Sequence, residues 1–276
     1  MDITVGLFLT LFALAFIAEF IDSAMGMGYG TLLTPILIIM GFDPLVVVPA
    51  ILLSQAFGGM AASVFHHQFH NVRFDRSSPD FKAFLVIGGL GVVATIFAAL
   101  LSLKLPPLVL KTYIGALVLV MGAVILRNRT YTFTWKKLIG LGILSAFNKG
   151  LSGGGFGPVV TGGQVMSGMN PRNAVGVTTL AEAPICLAGF MTFIVGRTVL
   201  EHRGGIMQMP FAEFAGELFS SRMFQWELLL ALLLGSLFVS PFGALTTRLV
   251  RTSVMRPALG VLITVMGGWM LFQTWR

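Results

Sequence analysis

The residues best suited to chemistry stand beside two glycine clusters. Glu19 and Asp22 precede Gly26, Gly28 and Gly30, while Asn148 and Lys149 precede Gly153, Gly154, Gly155 and Gly157. Glycine tolerates backbone shapes that other residues resist, and it lets a ligand or a second backbone come close. A glycine loop ahead of a helix can turn free N–H groups and a positive helix terminus toward an anion. Lys149 would add a full positive charge and Asn148 a hydrogen bond. Small residues also serve plain helix packing, and one cluster alone would be read that way. Two clusters at matching positions, each beside ionisable residues, favour a binding site.

A further polar group lies in Thr178-Thr179-Leu180-Ala181-Glu182-Ala183-Pro184, with two hydroxyls one helical turn before a carboxylate. Thr178 and Thr179 could line a polar cavity or simply tie helices together. Asp22, Glu19 and Glu182 are candidates for proton coupling. His66, His67 and His70 suggest a metal, since His67 and His70 lie three apart. They run into Arg73 and Arg76, however, and read better as an interfacial loop, so no metal site is expected. Neither glycine cluster has P-loop or dinucleotide spacing. No nucleophile–base arrangement or confined carboxylate pair is present, which argues against an enzyme and against a cofactor.

The elements that must position these residues are membrane helices. The chain has 276 residues, 56% hydrophobic and only 11% charged. A soluble domain carries about a quarter charged residues, so a bilayer must supply the missing polar-free surroundings. Ten apolar segments can be placed, at 4–21, 29–41, 44–65, 82–103, 107–126, 135–147, 156–168, 172–196, 226–247 and 254–274. The segments 29–41, 135–147 and 156–168 are short for a crossing that needs about 20 residues. Short, glycine-interrupted segments in matching positions point to broken helices around a central site. Proline at Pro184 is expected to bend its helix. The N-terminus lacks a basic signal-peptide region, so its apolar stretch reads as a retained helix. The lone Cys186 rules out an internal disulfide and a two-cysteine thiol carrier. The net charge of +7 falls in loops and fits membrane orientation better than nucleic-acid binding.

The chain is internally duplicated. A shift of 127 residues lays Gly26 on Gly153, Gly28 on Gly155, Gly30 on Gly157, Gly41 on Gly168 and Pro44 on Pro171 without a gap. The same shift lays Asp22 on Lys149 and Gln55 on Glu182. Later, "GALVLVMGAVIL" at 115–126 resembles "GVLITVMGGWML" at 260–271. The first repeat is therefore 1–126 and the second 127–276, with 197–225 as an extracytoplasmic connection. Within that connection Pro210, Phe211, Glu213, Phe214, Glu217, Leu218 and Phe219 have the spacing of an interfacial helix, or form a linker. Five segments per half make the repeat inverted if all cross. On that model one face receives eleven of the 18 lysines and arginines, from Arg73 to Arg256, and the other seven, from Lys104 to Arg276. The richer face is cytoplasmic by the positive-inside bias, which leaves both termini outside.

The segments "LSGGGFGPVV", "GMNPRNAVGVTTLAEAP" and "DSAMGMGYGTLLTPILIIMGFDPLVVVPAILLSQ" resemble the signatures of the TauE/SafE family of sulfite exporters, also grouped as toluene sulfonate uptake permeases. The resemblance spans nearly the whole chain outside 197–225. It implies movement of sulfite, sulfonates or related organic anions, with both glycine segments forming the substrate region. This chain departs from the family pattern at Met25 and Met27, where small residues are common, and at Glu182, where many members are apolar. The expectation is an all-α polytopic carrier of the bacterial inner membrane that binds a small anion through Lys149, Asn148, Thr178, Thr179 and the glycine backbones. A homo-oligomer stays open as its assembly state. The rivals are a cation or metal carrier using Glu19, Asp22, Glu182 and the histidines, and an intramembrane enzyme or assembly subunit.

Overall fold

The computed structural model describes residues 3–127, 134–166, 168–201, 225–247 and 252–276, with residues 210, 213, 216, 217 and 249. Regular structure among them is helical throughout. The helices are α1 (Val5–Met25), α2 (Tyr29–Ile39), α3 (Pro44–Gln68), α4 (Pro79–Ser102), α5 (Pro107–Arg127), α6 (Trp135–Ser152), α7 (Gly157–Met166), α8 (Pro171–Glu201), α9 (Trp226–Thr246) and α10 (Thr252–Trp275). Seven of them, all but α2, α6 and α7, are long and apolar enough to cross a membrane. A chain in hydrocarbon must satisfy its own backbone, which closes each apolar run into a helix. Local signals set the ends. Thr4, Asp43 and Ser78 cap α1, α3 and α4, accepting from the N–H groups of Leu7, Leu45 and Phe81 at 3.3, 2.7 and 3.1 Å.

Each expected apolar segment corresponds to one helix, with corrections at the ends. α6 is 18 residues long, where a short segment was expected, because it continues through Asn148 and Lys149 to Ser152. Polar side chains ended the apolar run without ending the helix, since both find partners inside the protein. α2 and α7 are short, at 11 and 10 residues. His66 and His67 lie in the last turn of α3, where an interfacial loop was expected. α8 passes through Pro184 and extends to Glu201, which takes the start of the 197–225 connection into a helix. Glu213 and Glu217 are helical, whereas Phe211, Phe214, Leu218 and Phe219 lie outside the described residues, as do Arg129, Arg203, Arg222, Arg248 and Arg251 of the charge pattern.

The helices pack in matched pairs. α1 lies on α9 and α6 on α4; α3 lies on α9 and α8 on α4; α3 and α8 meet each other, as do α5 and α10. Glycines let the last pair approach. Gly115 lies at Leu271, Leu119 at Gly267, Gly122 at Thr264 and Leu126 at Gly260. Partner numbers fall as residue numbers rise, so α5 and α10 run antiparallel. Close contact through small residues is the usual way helices associate where lipid removes the hydrophobic drive.

Candidate functional site

The two glycine segments meet each other. α1 ends at Gly26 (φ +70°) and α6 at Gly153 (φ +73°), both in the left-handed conformation that glycine adopts without strain. Each cap N–H returns to the carbonyl four residues back, Gly26 to Asp22 at 2.6 Å and Gly153 to Lys149 at 2.8 Å. Beyond the caps the loops cross, with Gly30 against Gly153 and Gly154, and Gly157 against Gly26 and Met27. A Cβ on Gly30 would strike the Gly153 carbonyl, and one on Gly157 the Gly26 carbonyl. The 127-residue shift converts one contact into the other. Threonines pin the crossing: Thr31 Oγ1 accepts from Gly155 N at 3.1 Å, and Thr161 Oγ1 donates to Gly26 O at 2.8 Å. Ser152 Oγ accepts from Gly154 N at 3.2 Å, so both N–H groups are bonded within the protein.

Next to the crossing lies a buried charged cluster contributed by α1, α3, α6 and α8. Lys149 is 1% exposed, so it does not snorkel to the interface. Its ammonium donates to Gln55 Oε1 and lies 3.5 Å from Glu182 Oε1. Gln55 Nε2 donates to Glu182 Oε2 at 2.7 Å and to Asp22 Oδ2 at 3.2 Å. Asp22 Oδ1 accepts from Tyr29 N at 3.2 Å. Asp22 and Lys149 are joined through Gln55, which stands between them. The 127-residue shift lays Gln55 on Glu182, and these two side chains bond to each other. Three carboxyls (Glu19, Asp22, Glu182) surround one ammonium. Glu19 is fully buried, and neither of its oxygens has a hydrogen-bond partner.

The remaining expected residues separate from this cluster. Thr178 Oγ1 lies 2.9 Å from Thr161 Oγ1 and accepts from Gln164 Nε2 at 2.8 Å, so it belongs to the crossing. Thr179 donates to its own helix at Val175 O, 2.9 Å. Asn148 accepts from Tyr113 OH at 2.5 Å and faces α5. His66 is bonded through Nε2 to Ser23 O at 2.9 Å and through Nδ1 to Asn71 at 3.1 Å, and His67 stacks on Phe74. No group of three metal-ligating side chains occurs among the described residues.

Sequence reasoning missed Gln164 and Tyr29. Gln164 is a lone amide in the short apolar α7, a signal that was available. Its Nε2 holds Thr178, and its buried Oε1 has no partner. It also lines a cavity of about 260 Å³ with Asp80, Trp135, Met169, Asn170 and Asn173. Trp135 opens α6 and Asn170 follows α7, so this helix pair starts and ends on one side of the molecule. Tyr29 is fully buried, and its hydroxyl meets Ser54 Oγ at 2.7 Å. A larger groove of about 630 Å³ lies between α4 and α8, lined by Leu100, Lys104, Met191 and Val195, and contains none of the cluster.

Comparison with known proteins agrees with this architecture. The family model "Sulfite exporter TauE/SafE" matches residues 11–270. A Bacillus subtilis (strain 168) protein named "Probable membrane transporter protein YtnM" is 28% identical over 191 residues, covering 65% of this chain. The match spans 61% of that relative, less than two thirds of its length. No solved structure matches the chain. With nearly its full length matched and seven candidate spans, the chain belongs to the sulfite exporter TauE/SafE family, a family of multi-pass membrane transporters.

Proposed function

We propose that the chain is a secondary transporter that moves a small oxyanion, sulfite or an organosulfonate, across the bacterial inner (plasma) membrane by alternating access. The observation that carries this reading is Lys149, a fully buried lysine held at the meeting point of two equivalent half-sites. A charge in that position needs a partner, and such residues mark substrate or ion pathways in membrane proteins. Glu182 and Gln55 are its partners when the cluster is closed. A sulfite or sulfonate group offers Lys149 the same kind of oxygen as the Glu182 carboxylate and would take its place. Asn148, Thr178, Thr179 and the backbones of Gly26, Gly28, Gly153, Gly154 and Gly155 would then be reached as the crossing loosens. The cavity floored by Gln164 is the entry route this reading favours.

Residues 1–126 and 127–276 are read as inverted repeats. The antiparallel run of α5 and α10, equivalent helices of the two halves, supports this. So does the matched packing of α1 on α9 with α6 on α4. A helix pair that returns to its starting side, followed by three long helices, leaves each half on the side opposite its start. On this reading the second half begins inverted, and the excess of basic residues on one face favours both termini outside. A cation carrier using Glu19, Asp22 and Glu182 is the rival, favoured by the excess of carboxyls. The test is Lys149→Met in proteoliposomes at matched protein levels, with sulfite and methanesulfonate as probes. Flux should fall by roughly tenfold or more. Unchanged anion flux removes Lys149 from the site, and uptake of monovalent cations in place of anions selects the rival.

A further inference from the structure

The charges at the centre do not balance. Lys149 faces Glu182, and Asp22 is held by the Tyr29 N–H and the Gln55 amide. Glu19 has no such support: it is 0% exposed, and both carboxyl oxygens lack any hydrogen-bond partner. A carboxylate charge left unpaired in a low-dielectric interior is strongly unfavourable. The helices pack closely around this group. Gly58 of α3 stands opposite, where a Cβ would come within 3.4 Å of the Glu19 carboxyl carbon and 2.8 Å of Ser236 Cβ on α9. The Ser236 hydroxyl is directed to Ser54 O at 3.1 Å and not to Glu19.

The titratable and charged groups that face Glu19 come from every neighbouring element. Asp22 lies one turn along on α1, Lys149 comes from α6 and Glu182 from α8. Tyr29 of α2 and Cys186 of α8 are also within its field. His66 of α3 sits on the Ser23 carbonyl, one turn from Glu19. α9 adds the hydroxyls of Ser236 and Ser240 and no charge at this level. Lys149 is the single cation of the set, and it is already engaged. No cage of three ligating side chains surrounds Glu19 among the described residues, which favours a proton over a metal ion as its counter-charge.

We propose that Glu19 is the proton-carrying carboxyl of the transport cycle, taking up a proton from water on one side and releasing it to water on the other together with the substrate anion. The proposal rests on the reading of the chain as an anion transporter. One O–H bond forms at the Glu19 carboxyl when the site opens to the first side, and the same bond breaks when it opens to the second. Entry of an anion beside Lys149 deepens the local deficit of positive charge, so proton and anion move in the same direction. In the closed cluster Asp22 and Glu182 have amide, N–H and ammonium partners, and Glu19 alone has none.

The experiment uses the full chain in proteoliposomes loaded with a pH-sensitive dye. Methanesulfonate is the probe because its charge does not titrate in the range used. Wild-type protein should acidify the lumen as methanesulfonate enters, and an imposed inward proton gradient should raise uptake by roughly tenfold. In Glu19→Gln, whatever flux remains should move no proton and ignore the gradient, while Glu19→Asp should restore part of the response. Methanesulfonate entry by the wild type without acidification overturns the proposal, even if Glu19→Gln fails to insert. So does a Glu19→Gln protein that still acidifies the lumen. Absence of both sulfite and methanesulfonate flux in the wild type would instead sink the anion reading, and this inference with it.

Discussion

Lys149 shows how a single residue can be costly and retained. Its ammonium is removed from water among four helices, and only Glu182 and Gln55 compensate. Removing one partner of a buried pair leaves the other charge stranded, which typically costs about 3–5 kcal/mol. Removing both is far milder, because apolar groups can fill the space. Glu182→Met should therefore lower the thermal unfolding midpoint in detergent more than the Lys149→Met/Glu182→Met double variant does. Additive losses in this cycle would show that the two side chains are not coupled. The choice of Glu182 as partner was not legible in the chain. Asp22 and Lys149 align under the 127-residue shift and suggest a pair, yet alignment reports equivalence, not contact. The residue that does lie between them, Gln55, was visible only as the counterpart of Glu182.

At the scale of elements, the broken helices depend on backbone touching backbone. Gly30 and Gly157 sit against carbonyls, which have no rotamer to move aside. Overpacking of a tight core typically costs about 1–3 kcal/mol, and two chains in van der Waals contact leave less room than side chains do. Gly30→Ala and Gly157→Ala should each lower the unfolding midpoint and sharply reduce the folded yield in membranes. Gly89→Ala, on α4 with nothing near its missing Cβ, should be neutral or slightly stabilising. Equal behaviour of all three would remove the crossing as the reason for these glycines. The spacing of glycines announced broken helices from the chain alone. That the two breaks cross, and that the second spends its Gly155 N–H on Thr31 of the first, required the packed structure.

On the scale of the whole molecule, the proposed orientation rests on the helix count and the basic residues. Cys186 is the one cysteine and is fully buried, so it gives a silent background once changed to alanine. In that background Arg76→Cys and Lys104→Cys should lie on opposite faces. An impermeant thiol reagent added to intact cells should label Lys104→Cys and spare Arg76→Cys until the cells are opened. Labelling of both from outside, or the reverse pattern, would overturn the proposed orientation. The antiparallel α5–α10 pair belongs to the same scale. The stretches 115–126 and 260–271 are similar in sequence, and the contact register of their helices shows that they run in opposite directions.

By itself the sequence determined the solvent, the ten helical segments, the 127-residue register of matching glycines and the resemblance to the TauE/SafE family. These are properties of composition and of spacing along one chain, and hydrocarbon enforces them locally by forbidding unbonded backbone. Tertiary structure alone decided which polar groups meet. Lys149 and Glu182 are 33 residues apart, and Gln55 and Lys149 are 94 apart. Contacts over such separations follow from which helix faces pack, and membrane helices choose those faces through small-residue fit more than through apolar periodicity. Glu19 is the clearest case. Its burial without a partner is a property of how α1, α3 and α9 pack together, and no pattern in the chain records that packing.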